Sequence, residues 1–228
     1  MKKCSALWAK YHHAVPLIIY GIIYWLWFCH LEETVTTHYH VIHMGIDDYI
    51  PFCELFVIPY FLWFAYVAAA VLLLFFTDKT EYYKTFVFLA TGMTVFLIVS
   101  TLWPNGHHLR LAAMPRDNVF THMVQGLWRT DTPTNLWPSI HVYNSIGAHL
   151  AITHSRALSN KKGIRYSSFV LAVSIILSTV FIKQHSMFDV ITAFIMAGVM
   201  YILVYRTELV TALRTALQRR KAHPQIVR

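Results

Sequence analysis

Apolar residues come in long runs, and six can be drawn at about 13–30, 52–76, 84–103, 136–153, 166–182 and 188–205. Each is near the roughly 17–25 residues that a helix needs to cross the hydrocarbon core of a bilayer. The pattern predicts an all-α fold, a polytopic membrane bundle of six transmembrane helices. No internal repeat, low-complexity segment or long linker divides the chain, so 1–228 reads as a single integral membrane domain ending in a basic tail over 206–228. The first run ends in Trp25, Trp27, Phe28, Cys29 and His30 without a small-residue cleavage pattern, and so reads as a retained span.

Composition agrees with the periodicity. Hydrophobic residues make up 57% of the chain and charged residues 13%, against about 45–50% and about 25% in soluble domains. A soluble or disordered protein is excluded. Three cysteines, Cys4, Cys29 and Cys53, are an odd number with two in or beside apolar runs, which argues against a disulfide scaffold.

The formal charge of +8, with the fourteen histidines counted neutral, would suggest a nucleic-acid partner in a soluble chain. Here the distribution explains it. With six spans both termini share a side, and that side holds fifteen of the nineteen basic residues; Arg110, Arg116, Arg129 and Lys183 fall on the other. The positive-inside rule puts both termini in the cytoplasm and the intervening loops one, three and five outside, in the plasma membrane. No nucleic acid is required. The tail spaces Leu209, Leu213 and Leu217 four apart, a pattern suited to lying against anionic headgroups or to a solvated end.

Two places break the apolar pattern. The fourth run reads Pro138-Ser139-Ile140-His141-Val142-Tyr143-Asn144-Ser145, and His141, Ser145 and His149 share one helical stripe. Ionisable groups inside a membrane face a bundle interior or a wet cavity and mark function by default. Pro138 and Ser139 suit a first helical turn, whose free amides can bind an anion. The fifth run ends in Lys183-Gln184-His185-Ser186-Met187-Phe188-Asp189, where a carboxylate four residues on is placed to fix the His185 tautomer.

These clusters share the outward side with loop three, about 32 residues long over 104–135 and well beyond the length at which structureless loops become unusual. Loop three opens on the turn signal Pro104-Asn105-Gly106, and its stretch from Met123 to Trp128 suits a short helix or an interfacial segment. Two histidines, a carboxylate, an arginine and a helix start are what covalent phosphoryl transfer needs.

At these residues the chain resembles the type 2 phosphatidic acid phosphatase superfamily, especially its branch similar to inositol-phosphorylceramide and sphingomyelin synthases. The segment Asp131 to Val142 looks like the family's Pro-Ser-x-His motif, and His185-x-x-x-Asp189 resembles the end of its third motif. Arg110 looks like the arginine of the first. The resemblance implies His185 as nucleophile, Asp189 as its orienting partner, His141 as general acid, and Arg110 and Ser139 as phosphate-binding groups.

The chain departs from the family where the first motif has lysine, here Trp103, and where the third opens Ser-Arg, here Ser178-Thr179. Lys183 or Arg116 is the expected replacement cation, Lys183 favoured because a helix anchors it.

The expected activity is hydrolysis of a phosphomonoester or diphosphate on a lipid through a phosphohistidine, with a phosphorylated lipid as substrate and the bilayer as surroundings. A lipid or polyol alcohol replacing water would make it a transferase. A transporter or membrane scaffold with histidines in a conduit is the non-enzymatic alternative. No cofactor and no metal are expected: His38, His40, His43, Asp47 and Asp48 in loop one have ligating side chains but match no metal spacing, and suit a loop packed over the site. His107-His108 beside Arg110 suits either substrate contact or an interfacial turn.

Overall fold

A computed structural model describes residues 11–207 except Thr36, together with Ala212, Leu213 and Thr215. Most of the 206–228 tail, including Leu209 and Leu217, lies outside the described residues, as do Lys2, Lys3 and Lys10.

Among the described residues seven α-helices form: α1 Val15–Thr34, α2 Val57–Thr77, α3 Lys79–Leu102, α4 Val119–Thr130, α5 Ile140–His154, α6 Lys162–Phe181 and α7 Met187–Tyr201, which runs on as a π-helical turn Ile202–Arg206. Five helical segments, His12–Thr34, Glu54–Thr77, Lys79–Leu102, Lys162–Phe181 and Met187–Arg206, are long and apolar enough to cross a membrane. Their outer faces are apolar and exposed, as with Ile18, Ile22, Leu26, Phe64, Phe76 and Phe194. That reverses the soluble arrangement and suits contact with lipid.

The fourth run does not match the other five. Its helix, α5, has 15 residues, about 22 Å at 1.5 Å per residue, against a hydrocarbon core of about 30 Å. Pro138 and Ser139 hold the first residues of the run out of the helix, and Ser139 serves as its N-cap, accepting from the Val142 amide at 3.4 Å.

The reason α5 tolerates polarity is its position. It packs against α2, α3, α6 and α7, and Val142, Tyr143, Asn144, Ser145, Gly147 and Ala148 are all buried. Close approach to α3 depends on small residues: a Cβ on Gly92 would lie 2.1 Å from the Tyr143 ring. Tyr143 stacks on Phe88 at 4.6 Å between centroids and donates its hydroxyl to the Phe88 carbonyl at 2.9 Å.

Helices alternate between two ends of the bundle. At one end Asp78 caps α3 by accepting from the Thr80 and Glu81 amides, and Arg156, just past α5, lies 3.8 Å from it. The His154 ring packs 4.5 Å from Tyr205 at the same end. At the other end loop one, loop three and the α6–α7 junction meet. Here Asn105 and Gly106, expected in a turn, form a short strand β2 (Asn105–Gly106) paired in parallel with β1 (His40–Val41). The Asn105 side chain accepts from the Leu136 and Trp137 amides at 2.9 Å each, holding the far end of loop three against its beginning. Between them lies α4, an amphipathic helix covering Met123 to Trp128 and capped by Asn118.

Candidate active site

The site assembles at the loop-rich end, between the first turn of α5 and the turn joining α6 to α7. His185 follows α6, and its amide donates to the Thr179 carbonyl at 2.9 Å. Ser186 then caps α7 and Asp189 closes the capping box by accepting from the Ser186 amide at 3.0 Å. The four-residue spacing puts the Asp189 carboxylate on the imidazole, with His185 Nδ1 donating to Asp189 Oδ2 at 3.2 Å. His185 Nε2 faces His141 Nδ1 at 3.4 Å.

An ionised Asp189 keeps the proton on Nδ1, so Nε2 carries the lone pair and His141 Nδ1 donates to it. Tyr60 stacks on the His141 ring at 4.6 Å, and Trp63 lies at 4.4 Å.

Electrostatics favour a neutral His185 imidazole. Burial, with the Arg110 charge second, presses the His185 pKa down to about 3. His107 is likewise lowered to about 4 by burial; its Nε2 donates to the Gln184 carbonyl at 3.0 Å and its Nδ1 accepts from the Leu109 amide. His107 thus props the turn before His185.

Arg110 is half-buried and reaches the same turn. It donates from Nη1 to the Trp128 carbonyl at 2.9 Å, and from Nη2 to the Asp131 carbonyl at 2.8 Å and to Gln184 Oε1 at 2.7 Å. Its buried Nε has no acceptor among the described residues. Gln184 Nε2 donates to Asp131 Oδ2 at 2.7 Å and to the Tyr60 hydroxyl at 3.3 Å. Burial, reinforced by the Glu32 charge, raises the Asp131 pKa to about 6.

Of the seven residues expected from sequence, His141, His185, Asp189 and Ser139 meet around one turn: the Ser139 amide lies 3.5 Å from the Asp189 carbonyl. Arg110 joins them through Gln184. The two replacement cations take other partners. Lys183 Nζ donates to the Asp47 and Ile50 carbonyls at 3.0 and 2.6 Å, and Arg116 forms a two-point pair with Glu54, 2.8 Å from Nε and 2.9 Å from Nη2.

Loop one does pack over the site. Asp47 turns inward while His43 pairs with Asp48 at 2.8 Å and His40 stacks on Trp103. The described residues hold no group of three or more His, Cys, Asp or Glu suited to a metal ion. A cleft of about 490 Å³, lined by His43, Asp48, Ile50, His108, Leu109 and Lys183 among others, opens beside the turn without including His141 or His185.

Residues to which the sequence assigns no partner complete the arrangement. Tyr60 and Trp63 are two aromatics among many in an apolar run, and the side chains of Asp131 and Gln184 find side-chain partners 53 or more residues away. The fold and site define a multi-pass α-helical membrane protein with a buried histidine–histidine–carboxylate chain at one end of its bundle. Comparison with family models, with curated proteins and with solved structures finds no match to the chain.

Proposed function

We propose that the protein is a membrane lipid phosphatase of the type 2 phosphatidic acid phosphatase kind, hydrolysing a phosphomonoester or diphosphate on a lipid through a phosphohistidine at His185. The observation that carries this reading is the hydrogen-bonded chain from Asp189 through His185 to His141, at 3.2 and 3.4 Å. It supplies a nucleophile in the right tautomer with a second imidazole on the nucleophilic nitrogen.

In the first step His185 Nε2 attacks phosphorus, the N–P bond forming as the bond to the lipid oxygen breaks. His141, protonated in the substrate complex, gives its proton to the leaving alkoxide. In the second step His141 takes a proton from water, the oxygen attacks phosphorus, and the N–P bond breaks to release phosphate. Asp189 holds the Nδ1 proton throughout.

A gap of 3.4 Å between the rings leaves no room for phosphorus and its leaving oxygen. Substrate entry therefore swings His141 away from His185. Arg110 Nε, buried and without an acceptor among the described residues, and the first-turn amides of α5 behind Ser139 are the donors for the equatorial oxygens.

In this reading α5 is the sixth crossing, short because interior helices meet protein rather than lipid. Support comes from its ends, one at the Asp189 carbonyl and the other beside Asp78. The excess of basic residues at the Asp78 end supports cytoplasmic termini and a site at the outward surface of the plasma membrane.

The test is an assay of protein purified in detergent against phosphatidate, phosphatidylglycerol phosphate, isoprenyl diphosphates and phosphosphingolipids, with and without alcohol acceptors and after exhaustive chelation. Inorganic phosphate released without added metal is the expected result. A phosphorylated headgroup appearing on the acceptor would make the protein a transferase, and neither product with any lipid would move it to the non-enzymatic class.

A further inference from the structure

One residue outside the catalytic set reaches both flanks of the nucleophile, one with its side chain and the other with its backbone carbonyl. Asp47 belongs to loop one, 138 residues before His185 in sequence, and is 1% exposed. Its carboxylate takes three hydrogen bonds. Oδ1 accepts from the Met187 amide at 2.8 Å; Oδ2 accepts from the Ser186 hydroxyl at 2.5 Å and from the Met44 amide at 2.8 Å. Its backbone carbonyl accepts from Lys183 Nζ at 3.0 Å, and the same ammonium reaches the Ile50 carbonyl.

We infer that Asp47 is a positioning residue for the nucleophile: with Lys183 it clamps the turn on either side of His185 and thereby sets the His185 to Asp189 hydrogen bond. The turn needs such a clamp. Lys183 has φ of 57°, in the left-handed region that a lysine enters at a cost, and its two carbonyl partners hold it there. Ser186 gives its hydroxyl to Asp47 and its amide to Asp189. A shift of Ser186 therefore moves Asp189 relative to the His185 ring. A charged carboxylate on the first amides of α7 also complements the positive end of that helix.

Asp48, the adjacent acid, serves as the control. It carries the same charge but pairs with His43 at the surface, and its charge acts on Lys183 through space rather than through a hydrogen bond of the clamp.

The catalytic meaning of the clamp rests on the phosphatase reading, whereas its test does not. Histidine labelled with ¹⁵N in the full chain in detergent reports the His185 tautomer, with the signals assigned by their loss in His185→Ala. Wild type should show Nδ1 protonated and Nε2 bare. Asp47→Asn, nearly isosteric, and Lys183→Met should both shift His185 toward a mixture with Nε2 protonated, while Lys183→Arg, which keeps donors for the two carbonyls, and Asp48→Asn should retain the wild-type signals.

With an active lipid, the first two variants should lose about 10–100-fold in kcat, as a misplaced nucleophile does, with KM nearly unchanged. Unchanged His185 signals in both Asp47→Asn and Lys183→Met would overturn the inference. Wild type inactive on every lipid would remove the phosphatase reading, and the tautomer comparison would still decide the clamp.

Discussion

At the residue scale the site depends on which buried groups keep or lose a proton. His185, pressed to about 3 from an ordinary 6.5 by burial, binds fewer protons folded than unfolded between those values. Its contribution to stability is complete above the unfolded value and is lost as pH falls toward 3. Asp131 has the opposite sign. Raised from 3.8 to about 6, it binds more protons folded, so its contribution is present at low pH and is lost as pH rises through 6. The two slopes oppose each other in mild acid. Asp131→Asn removes one of them, so its thermal midpoint in detergent should fall more steeply than that of wild type between about pH 6 and 4.5; parallel curves would contradict the assignment. The His185–Asp189 pair was legible because both partners lie on one helix start, four residues apart. Gln184 and Asp131 were not, since their contact joins loop three to the α6–α7 turn and no local spacing encodes it.

At the scale of elements, α5 shows how far periodicity reaches. His141, Ser145 and His149 do share a stripe, but each finds a different environment. His141 meets His185, Ser145 donates back to the His141 carbonyl at 2.6 Å, and His149 Nδ1 lies 3.0 Å from the Ser168 hydroxyl of α6. A single face therefore divides into the His141–His185 contact at its start and helix packing below. Small residues permit close helix contacts, and Gly147 and Gly198 are two such positions in the apolar runs. Gly147 does sit close to Phe88 and Leu89, while the space beside Gly198 is open, and the tightest approach is at Gly92. Gly92→Ala would press a methyl group onto the Tyr143 ring. Overpacking of this kind costs about 1–3 kcal/mol, so the variant should unfold at lower temperature than wild type and Gly198→Ala should not. The β1–β2 pairing had no signal, because two-residue strands are too short to show alternation.

At the scale of the whole molecule, hydropathy made the membrane class and five helices long enough to cross a bilayer readable, since lipid-facing helices must be apolar throughout their length. It overran at 136–153, where an interior helix is allowed to be short and polar. Orientation rests on the basic residues gathered at the Asp78 end. In a variant lacking Cys4, Cys29 and Cys53, Ala112→Cys in loop three should react with a membrane-impermeant thiol reagent on intact cells. Ala157→Cys, in the turn between α5 and α6, should react only after the cells are opened. The reverse pattern would invert the topology and move the site to the cytoplasmic face.

The central claim is a covalent bond between phosphorus and His185 Nε2, and trapping it with an alkaline detergent quench tests it most directly. Wild-type protein mixed with a ³²P-labelled phosphorylated lipid and quenched within a turnover should carry label that is stable to alkali and labile to acid, as a phosphoramidate is. His185→Ala should carry none. His141→Ala should still become labelled, about 10²–10⁴-fold more slowly, because it lacks only the general acid. Label of unchanged amount on His185→Ala would contradict the mechanism outright.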